Sequence, residues 1–212
     1  MLVEHIPPLG AGSNVYLVDD VLIDAGMDAQ RVLERVLEYL EGRSTALRMV
    51  VLTHAHFDHT AAVQEIVEHT GALVAMGEHD AQHLADPTYS VAGWFGGVPP
   101  HITPDVVLSE GDEVQAGDAV LEVLSTPGHT RGSICLLERE SASLFSGDTV
   151  YADGGFGRCD LPGGSCHDLL RTLERLSRLD VRRLYPGHGR SVEERAFEHI
   201  KLAYQIARSV LR

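Results

Sequence analysis

Apolar residues recur along this chain in two rhythms. The run NVYLVDDVLID at 14–24 is two short β-branched stretches meeting at Asp19 and Asp20, which predicts a hairpin. Behind Asp28, a candidate N-cap, Val32, Leu33, Val36, Leu37 and Leu40 recur at helical spacing and predict an amphipathic helix. LRMVVLT at 47–53 reads as a buried strand, the polar stretch His54 to His59 comes after it, and TAAVQEIVEHTG then reads as a helix closed by Gly71. Further strands are expected at 72–76, 105–108, 119–126, 133–138, 143–146 and 182–185. A short helix is expected from Asp80 to Ala85 and a longer one from His167 to Leu179, with Leu169, Leu170, Leu173, Leu176 and Leu179 inward. A last helix is expected from Ser191, where S-V-E-E has the form of a capping box. The Gly/Pro-rich stretch 90–104 has no periodicity, and loops of that length in compact domains are often functional. Strands and helices mix throughout, which predicts sheet layers covered by helices.

Composition narrows the class. With 212 residues, 44% hydrophobic and 23% charged, the chain is globular and long enough to hold a core without metals or disulfides. No linker or repeat divides it, so residues 1–212 read as one domain. The net charge of −14 repels phosphate backbones and anionic membranes, so neither nucleic acid nor membrane is an expected partner. Three cysteines do not make a secreted disulfide framework in what reads as a reducing compartment, and Cys159 and Cys166 are expected to be inert, with a redox pair as the alternative. The start MLVEHIPPLGAG lacks a basic and then apolar leader, and no apolar stretch approaches membrane-spanning length. A cytoplasmic protein is expected.

The chemistry lies at the ends of the apolar runs. His54, His56, Asp58 and His59 stand after one run, His129 after a second, Asp148 after a third and His188 after a fourth. If those strands end at a common edge, their loops converge where α/β folds place their sites. His54 and His56 at i, i+2 project to one side and suit one ion, while Asp58 and His59 at the turn into a helix suit a second. With His129, His188 and a bridging Asp148, the seven residues suffice for two metals with a water between them. His5, His69, His79, His83, His101, His167 and His199 lack this setting and read as ordinary surface or hydrogen-bonded residues.

The motifs T-H-A-H-F-D-H at 53–59, T-P-G-H-T-R-G-S at 126–133, F-S-G-D-T at 145–149 and Y-P-G-H-G at 185–189 resemble those of the metallo-β-lactamase-fold hydrolases, most strongly the glyoxalase II branch. The resemblance implies a single-domain α/β protein, a four-layer αββα sandwich with the metal site at one edge. It implies two divalent ions, zinc first with iron or manganese as alternatives, and a bridging hydroxide as nucleophile, with Asp58 and Asp148 as the catalytic carboxylates. The implied activity is hydrolysis of a 2-hydroxyacyl thioester of a small thiol or a related ester. Where full-length glyoxalase II enzymes carry a helical C-terminal domain for glutathione, only the segment from Ser191 to Leu211 stands here, and G-R-C-D-L-P-G-G-S at 157–165 resembles shorter relatives. A different thiol carrier is therefore expected.

Two residues bear on the substrate. Tyr151 stands where related lactonases carry a tyrosine, so a lactone remains an alternative to a thioester, and Arg158 is a candidate anion contact. The stretch 90–104, with Trp94 and Phe95, is expected to border the pocket, and a homodimer formed through loops is a further expectation. From another reaction class, an iron persulfide dioxygenase resembles the same pattern and would use His54, His129 and Asp148 as a facial triad.

Overall fold

The computed structural model describes residues 1–211 apart from Gly42 and Ser44. Among these, eleven strands form two sheets. The first holds β1 (Glu4–Ile6), β2 (Val15–Val18), β3 (Val21–Ile23), β4 (Met49–Leu52), β5 (Leu73–Gly77) and β6 (Val106–Leu108), in that order. The second is ordered β11 (Arg183–Pro186), β10 (Ser143–Gly147), β9 (Ile134–Glu138), β8 (Ala119–Ser125), β7 (Glu113–Ala116). Strands β3 to β6 run parallel, as does the β10/β11 pair, and the remaining pairs are antiparallel.

Strands β2 to β5, β9, β10 and β11 read as near-continuous apolar runs because both of their faces are covered, whereas β1, β6, β7 and β8 leave side chains open on one face. Along β4, Val50 and Leu52 point to an outer layer with Val32, Val36, Val63 and Ile66, while Met49 and Val51 point inward against Leu121, Val123, Leu136 and Phe145 of the second sheet. The second sheet turns Leu124, Leu137, Leu144 and Leu184 to its own outer layer, with Leu169, Leu173, Leu176, Ile200 and Ala203. The helices are α1 (Ala29–Leu40) and α3 (Val63–Thr70) over the first sheet and α5 (Cys166–Leu176) and α6 (Ala196–Val210) over the second, with short α2 (Phe57–Thr60) and α4 (Glu78–Ala81) beside the loops. This is the four-layer αββα arrangement.

The hairpin at 14–24 forms with its turn at Asp19 and Asp20, and Asp28 caps α1 by accepting the Arg31 N–H at 3.0 Å. Leu37 departs from expectation at 48% exposed, since it lies at the rim of the stripe made by Ala29, Val32, Leu33, Val36 and Leu40. Leu170 likewise is only half-buried, and Leu179 lies beyond the end of α5. The expected helix start at Ser191 is incorrect. Val192 is buried and exchanges backbone hydrogen bonds with Leu184 at 2.8 and 2.9 Å, which holds 191–194 extended beside β11 and delays the helix to Ala196. Strands β1 and β7, both short edge strands, are absent from the sequence expectation, although the four residues of β7 alternate exposed and buried.

The expectation for the cysteines is also corrected. Cys159 and Cys166 are bonded to each other, because the turn through Gly163 and Gly164 reverses the chain and brings their Cα atoms to 4.8 Å. Cys135 is free and buried, and burial pushes its thiol up to about 11. Among the described residues no helix is long and apolar enough to cross a membrane.

Candidate metal centre

Strands β4, β8, β10 and β11 come from two sheets, yet all four end at one edge of the sandwich, where their loops meet. Backbone bonds fasten the loops to one another. Ile134 N–H donates to the Thr53 carbonyl at 2.9 Å, joining the sheets, and Asn14 N–H donates to the Gly187 carbonyl at 2.7 Å. At Gly187 a Cβ would lie 2.3 Å from Asp148 Oδ1, so only glycine lets the chain pass.

The seven predicted residues are brought together. His54, His56 and His129 form one group of potential ligands and Asp58, His59 and His188 a second, each with its ligating atoms within 4.8 Å of one another. Asp148 lies between the groups: its Oδ1 is 3.2 Å from His59 Nε2, and its Oδ2 is 3.6 Å from His129 Nε2 and 3.5 Å from His188 Nε2. His188 Nε2 also meets Asp58 Oδ2 at 3.0 Å. Apart from the half-exposed His188, all seven are buried.

Buried polar atoms normally find partners, yet His54 Nε2 and His56 Nε2 have none, and His59 Nε2 and Asp148 Oδ1 face only one another, 3.2 Å apart and without hydrogen-bond geometry. Orphaned nitrogen and carboxylate acceptors gathered in one small space are the donor set of a divalent cation, so the residues fit the metals that the motifs imply. Electrostatics agree. Burial, then the neighbouring imidazoles His59 and His129, hold His54 well below its ordinary range, and burial takes His56 down to about 3, so both offer lone pairs at neutral pH. Burial opposes charge at Asp148 and His59 as well, but each holds the other ionised: His59 rises well above the usual histidine value and Asp148 falls well below the usual carboxylate. Asp58, against the same burial, is lowered by His59 and His188.

Two carboxylates that the motifs did not single out organise these ligands. Asp24 accepts the His59 Nδ1–H at 2.7 Å, the Thr53 N–H at 2.8 Å and the Thr53 hydroxyl at 2.9 Å, while Thr53 Oγ1 accepts from His54 Nδ1 at 3.1 Å. His54 is thereby set in the tautomer that leaves Nε2 as acceptor, and His59, whose Nδ1–H is fixed on Asp24, takes up the same tautomer once its Nε2 proton is lost. Asp80 accepts from Ala55 N–H, Thr130 hydroxyl, Gly132 N–H and Tyr89 hydroxyl at 2.7 to 2.8 Å, tying the His54–His59 loop to the His129 loop. The only sequence signal was position: each aspartate ends or closely follows an apolar run.

Tyr151 stands beside the cluster, its ring 6.1 Å from that of His188, and burial, then Asp148, raise its hydroxyl well above the ordinary tyrosine value. The Arg158 guanidinium is exposed, paired with Asp160 at 2.8 Å and lying 5.3 Å over the Trp94 ring. What Arg158 delivers to the cluster is its backbone carbonyl, which accepts His129 Nδ1–H at 2.7 Å. The stretch 90–104 carries a 3₁₀ turn at Ala92–Phe95 seated on Phe57, the neighbour of His56, with rings of Phe57 and Phe95 5.9 Å apart. The other histidines have ordinary settings, as in His5 bonded to Asn14 at 2.9 Å and His199 accepting from Asp153 N–H at 2.8 Å.

Residues 9–188 match the family described as the metallo-beta-lactamase superfamily. A probable metallo-hydrolase of Methanocaldococcus jannaschii, MJ0888, is 34% identical over 91% of this chain and 95% of its own length. The acyl-coenzyme A thioesterase MBLAC2 of Gallus gallus is 34% identical over 87% of this chain and 75% of its own. Among solved structures, TTHA1623 in a di-iron-bound form is 31% identical, covers 97% of each chain and superposes with a TM-score of 0.73.

Proposed function

The chain belongs to the metallo-β-lactamase superfamily, and from that premise we propose that it is a two-metal thioester hydrolase of the glyoxalase II kind, acting on an S-acyl, 2-hydroxyacyl by preference, small thiol. The observation that carries the reading is the set of orphaned ligand atoms in two groups with Asp148 between them. Two divalent ions bound there, zinc by preference, would supply a water with a pKa near about 7 and a Lewis acid for the substrate carbonyl. His54, His56 and His129 would hold one, and Asp58, His59 and His188 the other, with Asp148 shared. The residues not in contact with the ions then have defined tasks. Asp24 keeps His59 and, through Thr53, His54 in the ligating tautomer. Tyr151 keeps its proton at neutral pH and can donate it to a basic leaving oxygen. A thiol with a pKa near about 8.5 departs without that donation, so a thioester makes the smaller demand on the site.

The MBLAC2 relative supports a thioester as the bond, because its own name carries that activity at 34% identity. A second reading, persulfide oxygenation at one iron held by His54, His129 and Asp148, takes from TTHA1623 the metal but not the count, since that structure is in a di-iron-bound form. Elemental analysis of protein purified without added metal, with hydrolysis of S-lactoylglutathione and an acyl-coenzyme A followed by absorbance, separates the two. About two zinc per chain with thioester turnover is the expected result. One iron per chain with no hydrolysis would reject the hydrolase in favour of the oxygenase.

A further inference from the structure

The segment from Cys159 to Cys166 is a covalently closed loop, and it touches the turn that presents His129 at both of its ends. At one end the Arg158 carbonyl accepts His129 Nδ1–H at 2.7 Å. At the other, Ser165 N–H donates to the Gly128 carbonyl at 2.8 Å. Arg158 and Ser165 each adjoin a bonded cysteine, so the cross-link ties together two of the residues that hold the His129 turn, beside Asp80 on Thr130 and Gly132 and Thr172 on the Pro127 carbonyl.

The two ends are anchored unequally. Cys166 opens α5, whose first turn is capped by the Ser165 hydroxyl accepting from Asp168 N–H at 3.2 Å and whose Leu169, Leu173 and Leu176 are fully buried. Arg158 belongs to no helix or strand, and its side chain is spent at the surface on Asp160 and Trp94. The passage there is narrow: a Cβ on Gly157 would lie 2.8 Å from His129 Nδ1 and 2.0 Å from the Asp148 carbonyl oxygen. A small displacement of 157–158 therefore moves the hydrogen bond that orients His129, and the disulfide is the covalent link from that stretch to α5.

We propose that Cys159 and Cys166 are positioning residues for His129, and that reducing their disulfide weakens the hold of the first half of the cluster on its ion. The inference rests on the reading of His129 as a metal ligand. In the reduction a dithiol supplies two electrons: the Cys159–Cys166 bond breaks, two thiols form with the two protons of the reductant, and the reductant closes to its own disulfide. Cys166 is half-buried and Cys159 buried, so Cys166 is the more accessible residue of the pair. With its Nδ1–H less firmly held, the His129 ring loses its fixed tautomer and orientation, and loss of such an outer partner costs about 10- to 100-fold in metal affinity.

The test uses the zinc-loaded full chain, oxidised or reduced with dithiothreitol and then desalted without oxygen, challenged with a chelator while zinc release is followed by colour. Reduction is expected to release one ion per chain about 10-fold faster, with the second ion unaffected. The Cys159→Ser, Cys166→Ser double variant should behave as the reduced chain and ignore dithiothreitol. In proton NMR, the His129 Nδ1–H should exchange slowly in the oxidised chain, with or without zinc, and fade on reduction. Equal release from oxidised and reduced chains with an unchanged Nδ1–H signal overturns the inference and leaves the proposed hydrolase intact. A chain that takes up no zinc in either state overturns the hydrolase, and the Nδ1–H signal then decides the inference alone. The wild-type comparison needs no substitution, so a misfolded double variant does not blunt it.

Discussion

The two halves of the cluster are built from different materials. The first is made of imidazoles alone, all buried, and burial with mutual repulsion holds His54 and His56 uncharged at neutral pH. The second mixes Asp58 with His59 and the half-exposed His188, and there His59 is held protonated against the carboxylates. A cation entering the first half meets ready lone pairs, whereas one entering the second must displace the His59 proton. The halves share Asp148, and each has its own outer support: Asp24 bonds His59 directly, while the Arg158 carbonyl bonds His129.

That contrast can be broken at its centre. Asp148→Ala removes the group common to both halves and should reduce thioester hydrolysis by on the order of 10⁴-fold or more, a loss that accelerations of 10⁶-fold and upward can display. Its circular dichroism spectrum should match the wild type, and retained turnover would remove the proposed site. One half can next be lost alone. His188→Ala should leave about one zinc per chain by elemental analysis, held by His54, His56 and His129, with two ions retained counting against the division. Asp24→Asn should act mainly on the second half, weakening metal binding by about 10- to 100-fold in chelator competition.

The halves should also differ in acid. In the metal-stripped chain His56 takes its proton only near about 3, whereas the unfolded chain takes it near 6.5, so between those values the unfolded state binds more protons and stability falls as pH falls. His54 acts in the same direction. His59, raised, gives stability that is already complete below 6.5, and the lowered Asp58 and Asp148 lose theirs only as pH drops below 3.8. Melting temperature should therefore decline from pH 6.5 to 4, and His56→Gln should flatten that decline; a slope unchanged by the substitution would contradict the neutral burial of His56. The smallest effect on thioester turnover is expected at Tyr151→Phe, within about 3-fold of wild type, while lactone turnover measured side by side should fall by about 10²-fold.

Much of this molecule is legible in its sequence. The continuous apolar runs read as strands because strands covered on both faces have no polar alternation to confuse them, and β4, β10 and β11 all lie where such runs stood. The ligand residues stood out because each comes directly after one of those runs. The helix start at Ser191 failed for a reason of the same kind: S-V-E-E satisfies a local rule, but burying Val192 against Leu184 satisfies a tertiary one, and the extended pairing won. Asp24 and Asp80 were invisible as organisers, because an aspartate's partners are backbone N–H groups and hydroxyls that no motif spells.

What the sequence determined by itself is therefore periodic and local: which stretches are strands or helices, which faces are apolar, and which loops carry nitrogen and carboxylate ligands. Hydrophobic period and turn chemistry act over a few residues, so they can be read a few residues at a time. Only the tertiary structure decided that Asp24 and Asp80 organise the loops of the cluster and that Val192 pairs with Leu184 in place of a helix start at Ser191. The same holds for the bond between Cys159 and Cys166, whose flanking residues meet the His129 turn. The aspartate contacts join segments tens of residues apart and the Cys159–Cys166 bond spans only 7, but each is set by the joint packing of three buried layers rather than by the local pattern of one stretch.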